Sequence, residues 1–280
     1  MNIGILIIAT NKYKQFVEPL IKSIDKYMFV DKVSGERLHN VTPLIFSDEM
    51  YKYGEECPTP FSDEFDYLAS TITGLDHRDN PLYHNSFMLT IPSYKFPEAT
   101  LYRYAIFNKY KEFLYKKFDR LIYMDVDSLL VDYVDNDDLI TGDLVAVSHP
   151  GFYTSKGWGS EGDNPESATY LIPEYRNNYV CGGIQGGKTD VFLTLCDLLT
   201  EDLKKDQERG IKPIWDDETM FNYYVNYGFH KIYPKGFLNI LSPEYCMVEN
   251  MSQRIEWGID NIKPKILALD KNHNEIRSNG

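Results

Sequence analysis

Residues 120–128 read RLIYMDVDS, an apolar run that closes on two aspartates. Leu121, Ile122, Tyr123 and Met124 follow one another without a polar break. Neither face of the strand this run predicts (120–124) suits water, so the strand belongs in the middle of a sheet covered on both sides. Asp125 and Asp127, at i and i+2, fall just past its carboxyl end, where open α/β sheets bind ligands in a crevice. Hard carboxylate oxygens there suit Mn²⁺ or Mg²⁺, and such an ion can neutralise a diphosphate leaving group. A plain surface turn can carry the same spelling. Asp135-Asn136-Asp137 provides the internal comparison, for it spells the motif in a polar run with no apolar strand before it and reads as a solvated loop.

To either side of this run the chain alternates strand-like and helix-like segments. Residues 3–9 and 42–46 predict strands, and 16–27 predicts a helix with Val17, Leu20, Ile21 and Ile24 on one face. Residues 99–117 predict a helix through Tyr102, Ile106, Tyr110 and Phe113. Beyond the aspartates come a strand at 144–148 and helices at 190–203 and 217–227. That alternation predicts an α/β fold whose parallel sheet is flanked by helices. Residues 49–97 carry little periodicity and read as a long excursion or small subdomain.

A length of 280 residues suits one α/β domain. A formal net charge of -13 argues against a nucleic-acid polymer or an anionic membrane as partner, because both need clustered Lys and Arg. The 22 Tyr and 15 Phe offer rings for stacking on bases and sugars. Cys57, Cys181, Cys196 and Cys246 show neither zinc spacing nor a compact disulfide framework. With no leader-like segment and no apolar run of spanning length, the expectation is a soluble, cytoplasmic protein without a membrane anchor.

Three further stretches bear on chemistry. Cys181-Gly182-Gly183-Ile184-Gln185-Gly186-Gly187 crowds glycines ahead of a helix, a pattern that allows close backbone approach and positive φ, and equally marks an ordinary turn. Trp215-Asp216-Asp217-Glu218 places acids where a helix starts, which capping and the helix dipole explain as readily as chemistry does. Lys271, Asn272, His273 and Arg277 form a basic cluster near the carboxyl end, where a frayed tail is the common meaning.

Taken in order, IIATNKY (7–13), IFSD (45–48), YMDVD (123–127), HPGFY (149–153), CGGIQGG (181–187), PIWDDE (213–218), LSPEY (241–245) and KNHNEIR (271–277) resemble glycosyltransferase family 6. This is the family of the blood-group A and B transferases and the α-1,3-galactosyltransferases. The resemblance implies a GT-A type fold in a single catalytic domain. Residues 1–127 would be mainly the nucleotide-binding half, 128–268 mainly the acceptor-binding half, and 269–280 a flexible lid.

The resemblance also implies a retaining hexosyl transfer from UDP-N-acetylgalactosamine or UDP-galactose to a galactoside acceptor glycan, with or without a fucose. Donor contacts would come from Ala9, Thr10, Tyr13, Arg103, Asp125, Val126, Asp127, Cys181, Gly182, Gly183, Asp217, Lys271 and Arg277. Acceptor contacts would come from His149, Trp215 and Glu218. Asp125 and Asp127 would hold Mn²⁺, with Mg²⁺ as substitute, and Glu218 would be the catalytic carboxylate. Gly183, being small, would leave room for an N-acetyl group and so favour the N-acetylgalactosamine donor. Family members often carry His where Asp216 stands. A UDP-sugar hydrolase and a non-catalytic sugar-nucleotide-binding protein remain the alternative readings.

Overall fold

The computed structural model describes residues 1–48, 58–62, 72–73 and 86–277. Its strands are β1 (Asn2–Ala9), β2 (Asn40–Ser47), β3 (Ile72–Thr73), β4 (Phe87–Thr90), β5 (Arg120–Met124), β6 (Ser128–Leu130), β7 (Leu144–Ser148), β8 (Val180–Lys188), β9 (Leu238–Leu241), β10 (Met247–Val248) and β11 (Ile266–Ala268). Among the described residues, eight of them form one sheet in the order β3-β4-β2-β1-β5-β8-β7-β9, and β10-β11-β6 form a second. β1 runs parallel to both β2 and β5, β2 parallel to β4, and β7 parallel to β9. β8 lies antiparallel between β5 and β7, and β3 is antiparallel to β4. The expected mostly parallel α/β sheet is therefore present. Chain order reverses around β1, with β2 on one side and β5 on the other, and such a switch point opens a crevice at the strand ends.

Alternation along β1 divides the core into two layers. Leu6 and Ile8 pack with the helical segments around Tyr104, Phe107, Phe192 and Leu199. Ile3, Ile5, Ile7 and Ala9 pack with Val17, Leu20, Ile21 and Ile24 of the helix Val17–Tyr27. All five residues of β5 are buried, as a strand covered on both faces requires.

Several expectations need correction. The helix expected at 99–117 is three helices, Glu98–Leu101, Arg103–Lys109 and Lys111–Lys117. The breaks fall on tyrosines held from outside the helix: the Tyr110 hydroxyl donates to the Thr90 carbonyl at 2.5 Å, and the Tyr102 ring packs edge-on against Tyr94. The glycine run is no turn, for it lies inside β8, and none of its glycines has a positive φ. The crowding is steric instead. A Cβ on Gly186 would sit 2.3 Å from the Leu121 carbonyl oxygen, and one on Gly187 would sit 2.3 Å from that of Asp143. The helix at 190–203 extends over Thr189–Glu208, and that at 217–227 is the α-helix Asp216–Tyr223 running on into a π turn. Where a solvated loop was expected at the second DxD, a short helix Asn136–Leu139 begins.

Most of the expected 49–97 excursion lies outside the described residues, as does Cys57. Its last part supplies β4 and the segment leading to the helices at 98–117. No helix of the described residues is long and apolar enough to cross a membrane.

Candidate active site

A cleft of about 430 Å³ opens at the carboxyl ends of β1 and β5, at the switch point. Of the residues singled out from sequence, Thr10, Tyr13, Arg103, Asp125, Val126, Asp127, Lys271 and Arg277 line it. Local bonding explains the near wall. Asn11 takes a positive φ of 54° and turns the chain into the 3-10 helix Asn11–Phe16 that presents Tyr13. The Thr10 hydroxyl and the Asn11 amide both donate to the Tyr94 carbonyl, at 2.7 and 2.9 Å. Asp48, the last residue of IFSD, accepts from the Asn11 backbone N–H at 3.2 Å and pairs with Lys14 at 3.0 Å.

The two aspartates after β5 differ in surroundings. Asp125 is anchored to β8 by its own N–H, which donates to the Gly183 carbonyl at 2.8 Å. Its Oδ1 accepts from the Tyr123 hydroxyl and, at 3.3 Å, from Arg103. The Asp127 side chain is buried and receives the Lys271 ammonium, while its backbone carbonyl accepts from the Leu269 N–H at 2.9 Å. The carboxyl-terminal segment is thereby folded onto the DxD turn. Its helix His273–Arg277 is fixed further by Lys12, whose ammonium donates to the Glu275 carbonyl at 3.0 Å, and by Arg277 lying 3.5 Å over the Phe96 ring. Lys271 lies 5.5 Å from the Tyr13 ring centroid. Burial pushes its ammonium down from the usual lysine value, with Asp125 opposing.

Arg103 joins the cleft to the glycine strand. Its guanidinium pairs with Asp217 at 2.9 Å, donates to the Gly182 carbonyl at 2.7 Å and stacks 4.1 Å over Tyr123. Burial pulls its pKa down, but Asp217, Tyr123 and Asp125 more than reverse that, leaving it raised. Burial pushes the Asp217 carboxyl well up, and Arg103 opposes it. The Arg103 Nε is buried without a hydrogen-bond partner, while Asp217 Oδ2 is taken up by the ion pair with the same guanidinium.

Ala9, Cys181, Gly182, Gly183, Asp217, Glu218, His149 and Trp215 do not line this cleft. Ala9 is fully buried, and Cys181 is a buried residue of β8 whose thiol shares a hydrogen bond with Cys246. The expected hollow beside Gly183 is filled, because a Cβ there would meet the Asp125 carboxylate at 2.9 Å and the Cys246 sulfur at 3.5 Å. What Gly183 permits is the close seat of Asp125.

Glu218 belongs to the next layer, in the first turn of Asp216–Tyr223. Its Oε2 accepts from the Gly182 N–H and its Oε1 from the Tyr179 hydroxyl, each at 2.8 Å. Trp215 is 57% exposed, its indole N–H donating to the Gly159 carbonyl at 2.7 Å. His149 caps the helix Pro150–Tyr153 by accepting from the Gly151 N–H at 3.1 Å, and its ring packs against Phe152, Tyr179 and Trp257. Burial pushes His149 below its ordinary value, with Glu218 opposing. Asp216 holds a positive φ of 48° and pairs with Lys212 at 3.2 Å.

Reading the sequence missed Lys12, Tyr94, Phe96, Thr100 and Tyr123 in the cleft wall, and Tyr179 behind it. Tyr123 was legible in principle as the last tyrosine of the apolar run, two residues before Asp125. The others carry no local signal.

A family model described as glycosyltransferase family 6 matches residues 83–278. Arg103 and every later site residue up to Arg277 fall inside that span, whereas Ala9, Thr10 and Tyr13 precede it. Histo-blood group ABO system transferases 1 and 2 of Rattus norvegicus are each 30% identical to the chain over 136 residues, 48% of its length. The aligned stretch spans 36% and 38% of those two proteins, little more than a third of their length.

Proposed function

Because the chain belongs to glycosyltransferase family 6, with a GT-A type fold, we propose that it transfers galactose or N-acetylgalactosamine from its UDP conjugate to a galactoside hydroxyl with retention of configuration. The observation that carries this reading is the pairing of opposite charges across one cleft. Two carboxylates, Asp125 and Asp127, sit on the strand side, and Lys271 and Arg277 face them from the carboxyl-terminal segment. The carboxylate side of the cleft repels a diphosphate unless it holds a metal ion.

The residues fit such an ion. The Asp127 carboxylate already accepts a cation in the form of the Lys271 ammonium, and the neighbouring Asp125 offers further oxygen. Among the described residues no cluster of three His, Cys, Asp or Glu side chains is placed to hold a metal. Asp125 and Asp127 would therefore supply the protein's ligands to Mn²⁺, or Mg²⁺ in its place, leaving coordination positions for phosphate oxygens and water. The ion, when bound, supplies charge to the departing diphosphate. The Tyr13 ring is offered to the uracil, and Lys271 and Arg277 to the phosphates.

The sugar would lie toward Arg103, the cleft residue whose guanidinium reaches back to Asp217 and to the Gly182 carbonyl of the glycine strand. Glu218 follows Asp217 in the chain and shares Gly182 with Arg103, the glycine's N–H holding Glu218 and its carbonyl holding Arg103. Positive charge develops at the anomeric carbon as its bond to UDP breaks. Two routes then retain configuration. Glu218 bonds to that carbon and is displaced by the acceptor oxygen, or it only stabilises the charge while the acceptor enters on the face UDP leaves. In both, the acceptor proton passes to the leaving diphosphate or to solvent. His149 and Trp215, on the Glu218 side, would receive the acceptor sugar.

UDP release from UDP-N-acetylgalactosamine and from UDP-galactose, with and without Mn²⁺ and across a panel of galactosides that includes fucosylated ones, tests the proposal. Acceptor-dependent and Mn²⁺-dependent release supports it and ranks the two donors. Equal release without acceptor would make the protein a hydrolase, and UDP binding without release a binding protein.

A further inference from the structure

The Glu218 carboxylate ends a chain of hydrogen bonds whose direction is forced at both ends. Trp215 N–H donates to Thr219 Oγ1 at 3.0 Å, Thr219 Oγ1 lies 2.9 Å from Ser160 Oγ, Ser160 Oγ lies 3.2 Å from the Tyr179 oxygen, and the Tyr179 hydroxyl reaches Glu218 Oε1 at 2.8 Å. An ionised carboxylate only accepts, so the single Tyr179 proton points at Glu218. Tyr179 must then accept from Ser160, and Ser160 from Thr219. Thr219 is free to donate because its remaining contact, a backbone N–H, can only donate to it. Every hydroxyl in the series is therefore oriented toward Glu218, and hydrogen bonds aligned this way polarise one another.

The phenol is also held mechanically. Its ring packs against Phe152 at 4.8 Å, Trp158 at 5.0 Å and His149 at 5.6 Å between centroids. A Cβ on Gly159 would stand 2.4 Å from Tyr179 Cζ and 2.6 Å from its oxygen, so that position leaves no space for a side chain while the phenol stays where it is. Burial, together with the Glu218 charge, pushes the Tyr179 hydroxyl well above the usual tyrosine range, so it keeps its proton. The Gly182 N–H holds the second carboxylate oxygen.

We propose that Tyr179 is the positioning residue of the transfer reaction: with the Gly182 N–H it fixes the plane of the Glu218 carboxylate, through a relay that begins at the Trp215 backbone. This rests on the assignment of Glu218 to the chemistry. Trp215 carries the exposed indole offered to the acceptor, so the relay ties the backbone of the acceptor wall to the carboxylate. Tyr179 itself is buried and lies outside the cleft lining.

Tyr179→Phe removes one oxygen and leaves the ring packing. It is expected to lower kcat by about 10- to 100-fold, as loss of a hydrogen bond to a charged group does. KM for the UDP-sugar, UDP affinity by calorimetry and Tm should all stay near wild type. Thr219→Val, two bonds further back, should show the same pattern at smaller size. Gly159→Ala, which displaces the phenol, should again lower kcat without lowering UDP affinity. Unchanged kcat in Tyr179→Phe, or a loss accompanied in proportion by weaker UDP binding and lower Tm, would overturn the positioning role. Glu218→Gln is measured alongside: if it keeps full activity, the carboxylate assignment falls and this proposal with it. If Glu218→Gln is inactive while Tyr179→Phe is not, the positioning role alone falls.

Discussion

Replacing single glycines of β8 by alanine should separate two uses of one motif. At Gly186 the added Cβ would lie 2.3 Å from the Leu121 carbonyl oxygen and 2.9 Å from the Ile122 Cα, both backbone atoms of β5. That is about 1 Å short of ordinary contact, and neither strand can move without disturbing the register Ile122↔Gly186 in the middle of the sheet. Overpacking of this kind costs about 2–3 kcal/mol. For 280 residues the unfolding entropy is about 0.6 kcal/mol/K, so the melting temperature should fall by about 3–5 °C.

At Gly183 the obstacle is different. The Cβ would lie 2.9 Å from Asp125 Oδ2, the tip of a side chain that is 41% exposed and can swing away. The stability cost should stay under about 1 kcal/mol, or roughly 2 °C. The carboxylate, however, must move by about half an ångström and give up its fit to Tyr123 and Arg103, and misplacement of that size costs about 10-fold in kcat/KM. Differential scanning calorimetry and a UDP-release assay on both variants decide the matter. Equal losses of melting temperature, or a Gly183→Ala enzyme with wild-type kcat/KM, would refute the division of the motif into a structural half and a site half.

Three other outcomes follow from the geometry. Glu218→Gln keeps the shape and one of the two accepting oxygens but removes the charge, so transfer should drop by about 10²–10⁴-fold with UDP affinity unchanged, as single-turnover kinetics and calorimetry would show. Lys271→Met should raise the UDP-sugar KM by about 10-fold, because a charge-assisted contact to phosphate is lost. Titration of Mn²⁺ into the nucleotide-free Lys271→Met variant should show tighter metal binding, since the ammonium no longer occupies Asp127. His149 carries a pH signature. Burial lowers its folded pKa below the ordinary 6.5, so the proton binds the unfolded chain more readily and stability is lost as pH falls below that value. His149→Asn, which retains an acceptor for the Gly151 N–H, should flatten the dependence of melting temperature on pH in that range.

Much of this arrangement is local and therefore legible in sequence. The run 120–124 matches β5 because consecutive apolar residues have few other solutions, and the placement of Asp125 and Asp127 follows from the strand that precedes them. What sequence misreads is where glycine acts by absence. Gly186 and Gly187 look like turn residues, yet their role is set by the carbonyls of Leu121 and Asp143, which lie 65 and 44 positions away in the chain, and no window along it contains both partners.

The same argument explains the helix break at Tyr110 and the basic cluster near the carboxyl end. Tyr110 continues the helical spacing, but its hydroxyl is claimed by Thr90, 20 residues upstream. Lys271 and Arg277 look like a frayed ending until Asp127 and Phe96 are seen beneath them. Tyr179 is the limiting case. Its neighbours in sequence are Asn178 and Val180, and its meaning comes wholly from Glu218, 39 positions on, and from Gly159, which yields the space the phenol occupies. Reactive groups advertise themselves by type and spacing, while the residues that aim them are ordinary types whose contacts are made only by the fold. The donor that holds each fixed carboxylate oxygen is therefore set by the fold and not by its neighbours in the chain, as Tyr179 and Gly182 are for Glu218.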